Sequence, residues 1–312
     1  TPGAEGALPV AWEDDGVTFD LWMSDLHPGR YLEMWLPAPM CHDRFALRLN
    51  VEVVGTDRPH EVITNATEVV RSADNCWQLT FSPRFTSLSP MLALAPADSL
   101  EHFEEPVELS GRAKPLLVRC ARPVESEVDL PECAAHIGEL LGRFHRVYGP
   151  WAHGDAFTAM MWAHARGMEY DGAASMPLEA VEHEVFHSWF GRGVKPTRAS
   201  DGWIDEAWTM WVTGPEPFKV EELTLDEAPV KLYNSHPWSR YTPRASYSAG
   251  ARLFGGIAHL LGGAEQLRSA MAVWYQVHAG GMITTDDLED HLDAWSDARI
   301  RPLWRRYVHG LS

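Results

Sequence analysis

No stretch of this 312-residue chain approaches the ~20 consecutive apolar residues that a membrane-crossing helix needs, and even MLALAPADSL, 91–100, is interrupted at once. Positive charge is scarce: 26 Lys and Arg stand against 44 Asp and Glu, a formal net charge of −18. Phosphate binding needs clustered Lys and Arg, so no nucleic-acid partner is expected, and the want of a long apolar run points away from a membrane. A diffuse acidic surface is compatible with a cationic amine, although it serves solubility first. Cysteine is sparse as well. Cys41, Cys76, Cys120 and Cys133 show no C-x-x-C spacing, which points away from a cysteine metal site or a small disulfide scaffold and leaves one or two disulfides open. Internal repeats and low-complexity segments are missing. So is a charged-then-apolar leader, and the chain starts Thr1-Pro2 rather than Met; a removed or trimmed leader fits, and the compartment stays open with a lean to the cytoplasm. Asn65-Ala66-Thr67 is formally a glycosylation triplet of a kind frequent by chance.

What is there reads as a globular protein, 45% hydrophobic and 22% charged, long enough for two domains. Up to about residue 110 the apolar runs are short and broken by Pro, Gly, Asp and Asn. VTFDLWM, YLEMWLPA, FALRLNVEVVGT, EVITNATEVVRS, CWQLTFSP and MLALAPA read as strands of a β-rich domain, 1–110. From about 129 the period turns helical, with Ile137, Leu140, Leu141, Phe144 and Val147 on one stripe. Strands are expected again at AFTAMMWAH and GMEY. The rest of the second domain, 111–312, reads as helical, with Thr284 and Asp287 capping DDLEDHLDAW and LWRRYVHG near the end. The fold class is α+β.

The segment AVEHEVFHSWFGRG, 180–193, carries the chemistry. Residues i and i+4 of a helix project from one face, so His183 and His187 are placed to grip one ion. The expected helix has Ser175 as cap, Pro177 in the first turn, Glu179 at the positive end and Gly191 at its close. Val181, Val185 and Trp189 form the apolar stripe away from the histidines. This is H-E-x-x-H, in which the imidazoles bind zinc and the intervening glutamate, Glu184, is the general base that deprotonates the attacking water. Catalytic zinc usually has a third protein ligand and an open position. Glu206, which follows His187 after eighteen intervening residues in DGWIDEAWTMWVTG, 201–214, stands at the start of a second expected helix that ends near Gly214.

The run H-E-x-x-H, eighteen residues, E, with HSWFGRGVKP after the first part and WIDEAW around the second, resembles the aminopeptidase N family of thermolysin-like gluzincins, which includes the leukotriene hydrolases. There the matching stretches read roughly H-E-x-x-H-x-W-F-G-N and W-L-N-E-G-F. The resemblance implies one zinc ion, His183, His187 and Glu206 as its ligands, Glu184 as base, and a thermolysin-like mixed and helical domain following an all-β one. GMEYDGAAS, 167–175, is similar to the family's G-x-M-E-N segment, an edge strand flanking the substrate. Gly167 and Met168 are its counterparts, and Glu169 would bind the free α-amine, a charge-assisted contact that selects substrates with a free N-terminus. ASYSAGARLFGGIAHLLGG, 245–263, is similar to the family's Y-E-K-G-A helix, which makes Tyr247 the oxyanion donor. Taken alone, Glu169 is an ordinary strand carboxylate and Tyr247 an ordinary core tyrosine, with Tyr241 as nearest competitor. His145, His153 and His164 read as surface or supporting groups, and His259 as a helix-packing residue.

The departures bear on substrate more than on metal. Tyr170 stands for the family's Asn, Ala207 for its Gly, and Ser248-Ala249 for its Glu-Lys. The spacing from Glu206 to Tyr247 is short for the family, the β region is short, and the residues here hold no counterpart of its large C-terminal helical domain; a more open site is the expectation. The expected function is a zinc-dependent amide hydrolase, an aminopeptidase acting on a peptide or peptide-like small molecule with a free amine. The alternatives are an endopeptidase, a hydrolase of a small amide or epoxide metabolite, and a zinc-stabilised binding protein without catalysis. Oligomeric state is not legible in the sequence.

Overall fold

The structure, a computed structural model, describes residues 10–13, 15–20, 32, 43–161, 167–215, 219–233, 242–297 and 299–311. The chain forms two compact units, one of 1–23, 32–142 and 153–185, the other of 24–31, 143–152 and 186–312.

The strands of the first unit are β1 (Val10–Glu13), β2 (Gly16–Asp20), β3 (Arg48–Glu52), β4 (His60–Thr64), β5 (Glu68–Ala73), β6 (Cys76–Thr80), β7 (Leu92–Pro96), β8 (Leu100–Val107), β9 (Leu116–Pro123), β10 (Ala156–Met161), β11 (Met168–Tyr170) and β12 (Ala173–Met176). They form an antiparallel sheet β1-β2-β7-β4, an antiparallel sheet β3-β6-β5, and a mixed sheet β11-β12-β10-β9-β8. In the mixed sheet β9, β10 and β12 run parallel, while β8 and β11 are antiparallel edges. Every residue of β7 is buried, and it shares a core with Trp77, Leu79, Phe81, Phe85 and Met91. EVITNATEVVRS, one run in the sequence, divides into β4 and β5 because Asn65 turns inward and spends its amide on the backbone: Nδ2 donates to the carbonyls of Ser89 and Asp171, and Oδ1 accepts from Met91 N. That triple engagement also leaves the glycosylation triplet without a presented amide.

Three strands escape the sequence pattern. β8 is rich in Glu and holds Pro106, which an edge strand tolerates because no ladder donor is required there. β12 lacks alternation because all four of its residues are buried, and β9 opens on Leu116, Leu117 and Val118 in a row, each buried or half-buried. β12 overturns one expectation: Ser175 caps no helix but pairs with Met160 and Met168 inside the sheet. YLEMWLPA lies outside the described residues save Leu32, as does the end of VTFDLWM.

A helix α1 (Leu130–Tyr148) buries Ile137, Leu140, Leu141 and Phe144, and Asp129 Oδ1 caps it at Glu132 N. Val147 is exposed, on the outer side of the stripe assigned to it. The remaining elements are α2 (Val181–Phe186), β13 (Lys195–Pro196), α3 (Trp203–Thr213), α4 (Ala251–Leu261), α5 (Ala264–His278), β14 (Met282–Ile283), α6 (Thr285–Trp295) and α7 (Arg301–Tyr307). The α6 capping box is present, with Thr284 and Asp287 each accepting from the other's backbone N–H. No described helix is long and apolar enough to cross a membrane. Cys76, Cys120 and Cys133 are free thiols, and Cys41 lies outside the described residues.

An aromatic cluster fixes the frame of the second unit. Tyr148 meets Phe186, Phe190 and Trp208 edge-on at centroid distances of 5.2, 5.6 and 6.3 Å, and Trp208 stacks on Trp211 at 4.8 Å. Each such pair contributes about 0.5–1.5 kcal/mol beyond its buried area. The cluster therefore seats the chain after α2 and the helix α3 on one rigid core.

Candidate active site

α2 ends at Phe186, short of the expected stop at Gly191, and His187 begins a tight turn. Trp189 N donates to Phe186 O, Arg192 N to His187 O, and Gly191 N to Val194 O. Gly191 takes φ of +101°, a conformation that disfavours any side chain. Val181, Val185 and Trp189 are buried as the apolar stripe requires. His183 and His187 thus sit on one continuous segment, four residues apart, and local backbone geometry sets their relation.

His187 is fully buried, and its Nδ1 lies 2.5 Å from Oδ1 of Asp205, with Thr209 Oγ1 at 3.3 Å. A carboxylate only accepts, so Nδ1 carries the proton of this contact, and in the neutral ring Nε2 holds the lone pair. That lone pair is on the nitrogen 3.8 Å from Glu206 Oε2. Asp205 and Glu206 occupy the first turn of α3, where the helix dipole favours negative charge. The ligand atoms of His183, His187 and Glu206 lie within 4.8 Å of one another, and so do those of Glu169, Glu184 and His187.

Glu184, Glu169, Asp205 and Glu206 are 6%, 4%, 6% and 3% exposed. Carboxylates buried at this density demand compensating positive charge. Two imidazoles and a carboxylate around one point are a zinc donor set, and an imidazole whose other nitrogen is held by a carboxylate is the usual form of a zinc-binding histidine. The residues present fit a single zinc ion.

Within the first unit, Gly167 lies against Glu184 so closely that a Cβ there would be 1.9 Å from Oε1. Met168 and Glu169 follow on the edge strand β11, both buried. Asn65 ties the turn after β11 through Asp171 O at 2.9 Å. In the second unit, Tyr247 stands in a π-helical turn, Ser246–Gly250, that leads into α4, and its hydroxyl donates to Glu206 Oε1 at 2.6 Å. A Cβ on Gly250 would lie 2.4 Å from that of Ala207, so the Ala207 that replaces the family's glycine meets a glycine from the opposite helix.

His145 and His153 are half-buried and outside the ligand cluster. His259 is exposed near the end of α4 rather than packed, since the apolar face of that helix belongs to Leu253, Phe254 and Ile257. Tyr241 and His164 lie outside the described residues. Sequence reasoning missed Asp205 and Thr209, and it read Gly191 only as a helix stop and Asn65 only as part of a glycosylation triplet. Asp205 alone left a signal, because it stands where the family pattern W-L-N-E has asparagine.

No protein-family model matches the sequence, and no curated protein matches it. Solved structures do. The chain is similar to the M1 zinc metallopeptidase from Deinococcus radiodurans, with a TM-score of 0.65 and 16% identity over 98% of this chain and 72% of that one. A mutant of that enzyme bound to a Tyr-Ser-Ala substrate matches with a TM-score of 0.67 and 17% identity, over 100% and 74% of the two chains. Native yeast LTA4 hydrolase matches with a TM-score of 0.62 and 13% identity, over 95% and 51%. The fold is that of the M1 zinc metallopeptidases, reached at distant sequence identity.

Proposed function

We propose that this chain is a zinc-dependent peptidase that removes the N-terminal residue from a peptide or peptide-like small molecule. The observation that carries the reading is the convergence of His183, His187 and Glu206, with the buried carboxylate of Glu184 beside them. Bound by these three residues, zinc supplies a Lewis acid that polarises the scissile carbonyl and acidifies the attacking water.

The chain's own groups do the rest. Glu184 takes the proton of the attacking water and delivers it to the leaving amine nitrogen. Gly167 packs against that carboxylate and fixes its position. Tyr247 turns its O–H from Glu206 to the oxygen on which negative charge develops. Glu169, on the edge strand after Gly167 and Met168, pairs with the substrate ammonium. The Tyr-Ser-Ala substrate held by the Deinococcus mutant is the class of molecule such a site accepts, and it supports the peptide reading.

The test is hydrolysis of paired fluorogenic aminoacyl amides, with free and with N-acetylated α-amines, in the presence and absence of chelator. Chelator-sensitive cleavage confined to free amines is the expected result. Equal cleavage of both sets would replace the aminopeptidase by an endopeptidase or metabolite hydrolase. A zinc-loaded protein that cleaves nothing would make the site structural.

A further inference from the structure

We propose that Asp205 is a positioning residue that sets the zinc affinity of this site through His187, an inference that rests on the zinc reading above. Three features build the arrangement. Asp205 Oδ1 accepts from His187 Nδ1 at 2.5 Å, with the imidazole fully buried and the aspartate 6% exposed, so solvent does not compete for the bond. The bond fixes both the ring plane and the tautomer, and aims Nε2 at the point shared with Glu206.

The second feature is the room made for the carboxylate. A Cβ on Gly191 would fall 1.9 Å from Asp205 Oδ2 and 2.1 Å from Cγ. The glycine that turns the chain after His187 also leaves the space the aspartate fills, so one turn serves both purposes.

The third is chemical. Asparagine, the family's residue here, has an acceptor oxygen and would hold the ring, but it brings no charge. An aspartate adds a full negative charge next to the Nδ1 proton and makes the ring a stronger electron donor at Nε2. Thr209 Oγ1, at 3.3 Å from the same nitrogen, is a weaker companion. Asp205 and Glu206 are adjacent in α3, so a shift of that helix moves Glu206 and the partner of His187 together.

The experiment measures zinc affinity of the zinc-free protein by competition with a chromophoric chelator, for wild type, Asp205→Asn, Asp205→Ala and Thr209→Val. Thermal midpoints of the zinc-free forms are recorded alongside. Asp205→Ala should weaken zinc binding roughly 10- to 100-fold, and Thr209→Val should change it by less than about 3-fold. Asp205→Asn, which keeps the acceptor and loses the charge, should fall between wild type and Asp205→Ala. A merely structural role would lower the zinc-free midpoint without this graded order. Asp205→Ala binding zinc as tightly as wild type would overturn the proposal and leave the zinc site standing; if that variant does not fold, Asp205→Asn equal to wild type overturns it. Wild-type protein that binds no zinc would sink the metal reading itself.

Discussion

The hydroxyl of Tyr247 donates to Oε1 of Glu206 across 2.6 Å, which ties the helix turn before α4 to the first turn of α3. Glu206 thus faces His187 through Oε2 and Tyr247 through Oε1. In the proposed mechanism the tyrosine leaves this resting bond for one to a developing oxyanion. Tyr247→Phe is expected to lower kcat by about 10²–10³-fold. Its zinc affinity should stay near wild type; steady-state kinetics on zinc-quantified protein checks this, and an unchanged kcat would return Tyr247 to the status of a packing residue.

Of the three signature residues of HExxH, His183, Glu184 and His187, Glu184 has no proposed part in holding the metal. Glu184→Gln keeps its shape and removes the proposed base, so turnover should fall by at least about 100-fold while one zinc per chain remains by elemental analysis. Full activity in the metal-loaded variant would end the mechanism proposed for this residue.

Gly167 offers a test that changes no polar group. Adding a methyl there puts carbon 1.9 Å from Glu184 Oε1 and 2.5 Å from its Cδ, so the carboxylate or the edge strand must move. Displacement on the ångström scale costs about 10²-fold in rate, and Gly167→Ala should lose kcat to that degree. Circular dichroism should be unchanged; a variant with wild-type kcat would show that Glu184 tolerates displacement.

Acid should weaken the packing of α5 on α6. His291 Nε2 donates to Ala270 O at 2.8 Å, and burial, with His278 nearby, pushes its pKa below the usual histidine value. The folded form thus favours the neutral ring. Its contribution is present above the unfolded value of about 6.5 and is lost as pH falls through the lower folded value. Urea midpoints of the zinc-free protein should drop between pH 7 and pH 5, and His291→Gln should lose less over that range. Identical losses in both proteins would remove His291 as the cause.

Much of this was legible in the chain because the signals are local. The four-residue spacing of His183 and His187 and the Thr284–Asp287 cap depend on one helical turn each, and helical turns are the same wherever they occur. Ser175 misled for the same reason in reverse. A serine before Pro177 is a sound local cap, but β10 and β11 claim it from either side, and pairing with distant strands outweighs one capping bond. His259 follows suit, since which face of α4 is buried depends on what packs against it.

The sequence by itself determined the donor types, their order and the pairing of histidines across a turn, since covalent spacing and helix geometry need no tertiary information. Only the tertiary structure decided that Asp205 meets His187, that Gly167 lies against Glu184, and that Tyr247 reaches Glu206 from 41 residues away. Those contacts join segments whose approach is set by packed aromatic cores and sheet order, and no periodicity along the chain records which side chains such packing brings together.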